Sequence, residues 1–379
     1  MVVPSAAPEC RREAAAAAAV FRRRRDGIPT VDMSAPAGRG ELSRQLAAAF
    51  AGSGFFKAVN HGVAARVPAR MDGAAAAFFA RPAPEKQLAG PPDPLGYGSR
   101  SIGTNGDVGE LEYLILHTSP DAVARKAGAI DTTDPHRFSQ VVNDYVEAVR
   151  QLACQVLDLL GEGLGLRDPT SLSRLITATD NDSLIRINHY PPSCTTTATH
   201  QHQERHVGAS PRCTAGEPKP GAGTTTIGFG EHTDPQILSI LRANDVDGLQ
   251  VLLPDAAGDH DVSWVPVPPD PSAFFINVGD LLQALTNGRL VSIRHRVVAS
   301  TGKPRLSTIY FAAPPLHATI SALPETVTAA APRRYRPFTW AEYKKTMYTL
   351  RLSHNRLDLF HVGNGVAGVG DDDDDDDQE

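Results

Sequence analysis

The run Gly228-Phe-Gly-Glu-His-Thr-Asp-Pro-Gln236 decides how this chain is read. It carries His232 and Asp234 two positions apart, and on an extended strand side chains so spaced point to one face. One imidazole and one carboxylate can then reach a single cation. Two ligands hold a divalent ion loosely, so a third donor is needed. His295, in the β-rich run Ser292-Ile-Arg-His-Arg-Val-Val298, is the candidate. Two imidazoles and one carboxylate on one side of an ion, with the other side open, suit non-haem Fe(II). The same donors with a water also suit Zn²⁺.

A second constellation surrounds this one. Arg305 and Ser307 lie two apart in a β-type run and present a guanidinium fork and a hydroxyl to one oxyanion. Upstream, Asn188 and Tyr190 share a face at the end of another β-run, offering an amide and a phenol near the same place. A fixed anion clamp beside a metal argues against a hydrolase, which needs none.

Bulk properties narrow the class further. The net charge of −6 comes from the tail, where residues 371–377 and Glu379 supply eight negative charges; the rest of the chain stands at +2. A nearly neutral body implies neither a nucleic acid nor a membrane surface as partner. Cys10, Cys154, Cys194 and Cys213 show no zinc-finger or C-x-x-C spacing and read as reduced thiols in a cytoplasmic protein, with nuclear access left open. No apolar stretch approaches the ~20 residues of a membrane span. Protein partners are not legible.

Along the chain, residues 1–27 read as a disordered extension, with alanines 14–19 and arginines 22–25 giving a faint transit-peptide character. Residues 28–130 form an N-terminal helical and strand region: a β-run at 28–34, helical patterns at 42–50 and 71–79, a strand entering a turn at 54–62, and a proline-rich irregular stretch from Pro82 to Pro94. Residues 131–183 contain the longest amphipathic helix, predicted over 138–164 with Gly165 beyond its end. From residue 184 to about 320, short β-runs recur at 184–190, 236–241, 248–253, 262–267, 273–278, 291–298 and 306–313. A disordered insert at 194–227 carries His200, His202 and His206. Residues 321–360 form a C-terminal helix region, in which Thr339 and Glu342 predict a capping box for a helix over 339–350. Residues 361–379 are a disordered acidic tail. The fold class is mainly β with flanking helices: a jelly roll, or double-stranded β-helix, braced by N-terminal helices.

In the order N-x-Y, H-x-D, H, R-x-S over one β-rich half, the pattern resembles the plant 2-oxoglutarate- and Fe(II)-dependent dioxygenases. Within them it is most similar to gibberellin 2-oxidases. The similarity runs from about residue 28 to 359 and includes Gly54-Phe-Phe-Lys-Ala-Val-Asn-His-Gly62, Gly96-Tyr-Gly98, Asn105-Gly-Asp-Val-Gly109, Glu112-Tyr-Leu114, Asn188-His-Tyr-Pro-Pro192, Asn277-Val-Gly-Asp280 and Arg305-Leu-Ser307.

The resemblance implies that His232, Asp234 and His295 bind iron, that Arg305 and Ser307 bind the distal carboxylate of 2-oxoglutarate, that Tyr190 contacts its metal-proximal end, and that Asn188 supports that site. It implies Fe(II) as cofactor, 2-oxoglutarate and O₂ as cosubstrates, ascorbate as reductant, and a gibberellin as the small-molecule substrate. Tyr310, Phe311, Tyr97 and Arg100 are expected to line the substrate cavity, with Arg100 facing the substrate carboxylate. Glu110 stands where relatives carry an aromatic residue, Ser193 interrupts the usual Pro-Pro-Cys, and the 194–227 insert is long; these departures bear on substrate choice. The alternatives are a gibberellin 20- or 3-oxidase, a flavonoid oxygenase, and, in another class, a non-catalytic hormone-binding protein on the same scaffold.

Overall fold

A computed structural model describes residues 27–92, 95–102, 107–192, 226–254, 262–300, 302–352 and 356–363. Residues 1–26 of the extension expected at 1–27, residues 194–225 of the insert expected at 194–227 with His200, His202 and His206, and residues 364–379 of the tail expected at 361–379 lie outside them.

In chain order the elements are β1 (Thr30–Asp32), α1 (Arg39–Ser53), β2 (Phe55–Val59), α2 (Arg66–Phe79), α3 (Ala83–Gln87), β3 (Gly96–Ile102), β4 (Asp107–His117), α4 (Pro120–Ile130), α5 (Pro135–Leu164), α6 (Ser171–Thr177), β5 (Leu184–Tyr190), β6 (Ile227–His232), β7 (Leu238–Ala243), β8 (Leu249–Pro254), β9 (Val262–Pro266), β10 (Phe274–Val278), α7 (Asp280–Leu285), β11 (His295–Val298), β12 (Arg305–Ala312), β13 (Thr319–Ile320), β14 (Phe338–Thr339) and α8 (Trp340–Thr349).

Two sheets face each other. The larger has eight strands in the order β1-β2-β10-β7-β12-β5-β4-β3, and the smaller four in the order β6-β11-β8-β9. All pairings in them are antiparallel except β1 with β2. This is the expected jelly roll, with a qualification. Strands β1 to β4 come from the N-terminal region yet belong to the same large sheet as β5, β7, β10 and β12, so the division at residue 131 crosses one continuous sheet.

Alternation along the strands sorts the core into two layers. In β10, Phe274, Ile276 and Val278 pack toward the helices, while Phe275 joins Phe55, Tyr113, Phe229 and Val251 between the sheets. Helix α5, 30 residues long and so about 45 Å, lays Val142, Val149, Val156 and Leu160 on the outer face of the large sheet. Its start is set by Asp134, whose side chain accepts from Arg137 N, with Pro135 at the first turn; its end is Gly165 at φ 73°.

Several elements differ from their sequence expectation. The hairpin β3–β4 and helices α4, α6 and α7 had no counterpart, and α3 lies inside the proline-rich stretch read as irregular. Signals for α4 were present: Ser119 caps it, Pro120 begins it, and Val123, Ala127 and Ile130 form its buried face. Thr339 does cap α8, accepting from Glu342 N at 3.1 Å. The reciprocal half of the capping box is missing, because the Glu342 carboxylate accepts from Arg336 Nη2 instead.

Two polar networks hold the walls of the site. Helix α8 is tied down by Trp340 Nε1 and Lys344 Nζ, which both donate to Asp182 Oδ2, and by Tyr343 OH, which donates to Asp280 Oδ2 at 2.6 Å. On the opposite side Glu112 of β4 accepts from Lys86 of α3 at 2.5 Å, from Tyr97 OH of β3 at 2.6 Å and from His189 of β5 at 2.8 Å. Burial pushes the Glu112 carboxyl up, but the hydrogen bonds from His189, Lys86 and Tyr97 outweigh it and hold the pKa at about 2. Such a depressed carboxylate stabilises the fold fully above its unfolded value of 4.5, and that contribution is lost as pH falls toward about 2. Glu112→Ala is therefore expected to cost about 3 kcal/mol at neutral pH. Chemical denaturation of the two proteins should show the difference narrowing below pH 4.5; a difference constant down to pH about 2 would contradict the network.

Candidate metal centre and cosubstrate pocket

Strand β6 ends at His232 and β11 begins at His295, and the two residues are paired directly across the ladder. The register then slips, with Val297 opposite Phe229, so an extra β6 residue is accommodated in a bulge just before His232. Asp234 lies past the end of the strand. The ladder ends at His232, yet the two-residue spacing still brings the Asp234 carboxylate to the side of the His232 imidazole. Backbone bonds hold this segment: Asp280 N donates to Asp234 O at 2.8 Å and Leu281 N to Gln236 O at 3.2 Å. A Cβ on Gly279 would stand 2.0 Å from Gln236 O, so only glycine allows this approach.

The three side chains meet. Asp234 Oδ1 is 3.6 Å from Nε2 of both His232 and His295, and their ring centroids are 4.3 Å apart. Those separations fit one ion contacted at about 2.0–2.2 Å. The outer nitrogens are occupied elsewhere: His232 Nδ1 bonds Gly230 O at 2.7 Å and His295 Nδ1 bonds Ile293 O at 3.2 Å. With Nδ1–H donating to a carbonyl, each ring turns its Nε2 lone pair inward. Asn277 Nδ2 donates to Asp234 Oδ2 at 3.3 Å, which leaves Oδ1 for the ion. Burial, reinforced by His295, pushes the His232 pKa well down, keeping the ring in its neutral, metal-binding form. Among the described residues this is the group of histidine and carboxylate donors placed to hold a metal.

The second constellation assembles on the facing sheet. Antiparallel register puts Arg305 opposite Tyr190 and Ser307 opposite Asn188. Arg305 and Ser307 are each 2% exposed, and Arg305 Nε and Nη1 and Ser307 Oγ find no hydrogen-bond partner among the described residues. Orphaned donors so deep are costly unless a ligand meets them. They line the same cavity as the three metal ligands. A dicarboxylate with one end at the metal and the other on Arg305 fits this donor set. Tyr190 lies beneath the Arg305 guanidinium, 5.3 Å from ring to Cζ, and Asn188 Nδ2 donates to Tyr190 OH at 3.2 Å.

Comparison with known proteins agrees with this geometry. Residues 181–314 match the 2OG-Fe(II) oxygenase superfamily, and residues 28–129 match the non-haem dioxygenase in morphine synthesis N-terminal family. Gibberellin 2-beta-dioxygenase 2 of Oryza sativa subsp. japonica is 78% identical over 96% of both chains. The chain belongs to the gibberellin 2-beta-dioxygenase family. Gibberellin 2-beta-dioxygenase 4 of Arabidopsis thaliana is 47% identical, over 88% of this chain and 94% of the relative. Among solved structures, the dioxygenase for auxin oxidation in rice matches with a TM-score of 0.68 and 28% identity, over 88% of this chain and all of that one. JOX2, solved with 2OG, Fe and JA, matches with a TM-score of 0.70 over 91% of this chain and 97% of its own, and at 24% identity supports the fold alone. The family thus combines iron and 2-oxoglutarate, which the donor set accommodates.

Next to the metal residues lies a larger, mostly apolar chamber, walled by Ile115, Leu184, Phe229, Phe311 and, from α8, Met347. Of the four residues expected to line it, Phe311 does. Tyr310 does not: β12 alternates, and Tyr310 points to the helix-side core. Tyr97 is spent on Glu112 and packs in the same core. Arg100 stands in solvent, 3.7 Å from Glu110, and neither belongs to the chamber wall. Two arginines that sequence reasoning passed over do line the chamber, Arg186 and Arg356. Arg186 was legible, since it continues the alternation of Asn188 and Tyr190 by one more step; Arg356 comes from a distant segment and had no local signal.

Replacing Arg305 with Ala should raise the 2-oxoglutarate concentration for half-saturation about 10- to 100-fold, while ferrous iron titration stays near the parent value. Unchanged 2-oxoglutarate saturation would remove Arg305 from the clamp. His232→Ala should lose metal uptake and turnover together, as read by metal analysis of the purified protein.

Proposed function

We infer that this protein hydroxylates gibberellins at the 2β carbon, using 2-oxoglutarate and O₂, and so inactivates the hormone. The observation that carries the reading is the convergence of His232, Asp234 and His295 with the orphaned Arg305 and Ser307 in one cavity beside an apolar chamber. High identity to gibberellin 2-beta-dioxygenases over nearly the full chain supports the substrate class.

When bound, iron and 2-oxoglutarate supply oxygen activation and hydroxylation of an unactivated C–H, with succinate and CO₂ as coproducts. The protein's residues do the rest. His232, Asp234 and His295 would hold the ion, as the facial triad of non-haem iron sites does. Arg305 and Ser307 fix the far carboxylate of the cosubstrate, and Tyr190 and Asn188 form the floor beneath it. The clamp is built on paired central strands, so it orients the cosubstrate without first having to order itself. Phe229, Phe311 and Ile115 present apolar surface to a rigid hydrocarbon skeleton and keep water from the reacting carbon.

A cytoplasmic setting, with access to the nucleus, belongs to this reading. No helix among the described residues is long and apolar enough to cross a membrane, and Cys154 is a free thiol.

Succinate release should require ferrous iron, be sustained by ascorbate, and rise on addition of a gibberellin. Mass spectrometry and NMR of the product should then find one oxygen added at carbon 2. Oxygen entering only a flavonoid, or only another gibberellin carbon, would overturn the assignment, and so would binding of the hormone without turnover.

A further inference from the structure

We propose that Arg186 is the anchor for the carboxylate of the organic substrate, and that it makes the enzyme select free acids. The inference rests on the function proposed above and names the residue that sets its specificity.

Arg186 sits on β5 with its side chain in the wall shared by the apolar chamber and the metal-side cavity. It is held in place from three directions. Nε donates to Asn188 Oδ1 at 2.8 Å, and the guanidinium lies 4.1 Å from the Tyr113 ring centroid and 4.9 Å from that of Phe229. These contacts fix the orientation of the fork, and the rings contribute modest cation–π attraction. None of them is an anion. Among the described residues no carboxylate comes within ion-pair distance of Arg186, and its Nη2 is buried with no hydrogen-bond partner. Burial draws its pKa downward, and the tyrosines around it and the Asp234 carboxylate, beyond ion-pair distance, only oppose that shift.

Arg356, the other guanidinium of the chamber, differs. Its Nη2 donates to Thr233 O at 2.8 Å and lies 4.0 Å from Asp280 Oδ2, so it has a carboxylate within ion-pair reach, although its Nε is also without a partner among the described residues. Arg305 faces the metal-side cavity and is absent from the wall of the apolar chamber. A buried cation left unpaired is costly, and Arg186 is rigidly presented in the wall that the chamber shares with the metal-side cavity. A carboxylate placed there would cancel the charge and take up Nη2, and it would draw the skeleton to the metal side. A methyl ester keeps the apolar body but leaves the cation unpaired.

The test compares a gibberellin free acid with its methyl ester by kcat/KM. The parent enzyme should favour the acid by about 100-fold or more, as expected when an unpaired buried group is left by the wrong substrate. Arg186→Gln should collapse that ratio toward unity by raising KM for the acid, and Arg186→Lys should restore part of it. A parent enzyme that turns over acid and ester alike overturns the proposal without any variant. So does an Arg186→Gln enzyme that keeps the parent ratio, or one that keeps it while 2-oxoglutarate saturation shifts, which would give the guanidinium to the cosubstrate. A parent enzyme inactive on every gibberellin would instead overturn the function on which the proposal rests.

Discussion

The pairing of His232 directly opposite His295 is the constraint on which the site depends. The pair sits where β6 ends and β11 begins, so the smaller sheet hands both imidazoles to the space between the sheets at one level. A one-residue slip would send one ring to the other face and dissolve the site. A bulge precedes His232, and the segment after it is held by backbone bonds. Those bonds come from the start of α7, whose amides hold the carbonyls of Asp234 and Gln236. The metal ligands are thus set by main-chain geometry, with Asn277 the side chain that trims the carboxylate.

The facing sheet is organised around the opposite problem, that of keeping cations buried. Arg305 and Arg186 project from adjacent strands into the intersheet space, each supported by aromatic rings and neither matched by a carboxylate within ion-pair reach among the described residues. A fold can sustain such charges when surrounding structure over-determines them. Here the large sheet, the α5 layer behind it and the Glu112 network on its flank provide that support. The unpartnered donors are local and line the cavity beside the three metal-binding side chains.

Much of this was legible in the chain. The strand at 184–190 appears over those residues, and the buried stripe of α5 follows its apolar spacing. The seven positions expected to take metal and cosubstrate lie in short motifs whose side chains the fold brings around one cavity. The substrate wall was not so readable. Tyr310 and Phe311 are neighbours in an apolar run where both faces of the strand are buried, so no polar alternation marks which face is which. Arg100 was placed by motif position, yet its backbone lies at φ 62° where the β3–β4 register is irregular, and the side chain is carried outward to Glu110.

Residue types and their two-step spacing determined by themselves which donors exist and which of them share a strand face, because the pleat repeats locally every two residues. Tertiary structure alone decided which strands are neighbours and which face is roofed by helices. It also decided whether a buried cation such as Arg186 meets a carboxylate, because register and packing join residues far apart in the chain, where no local periodicity reaches.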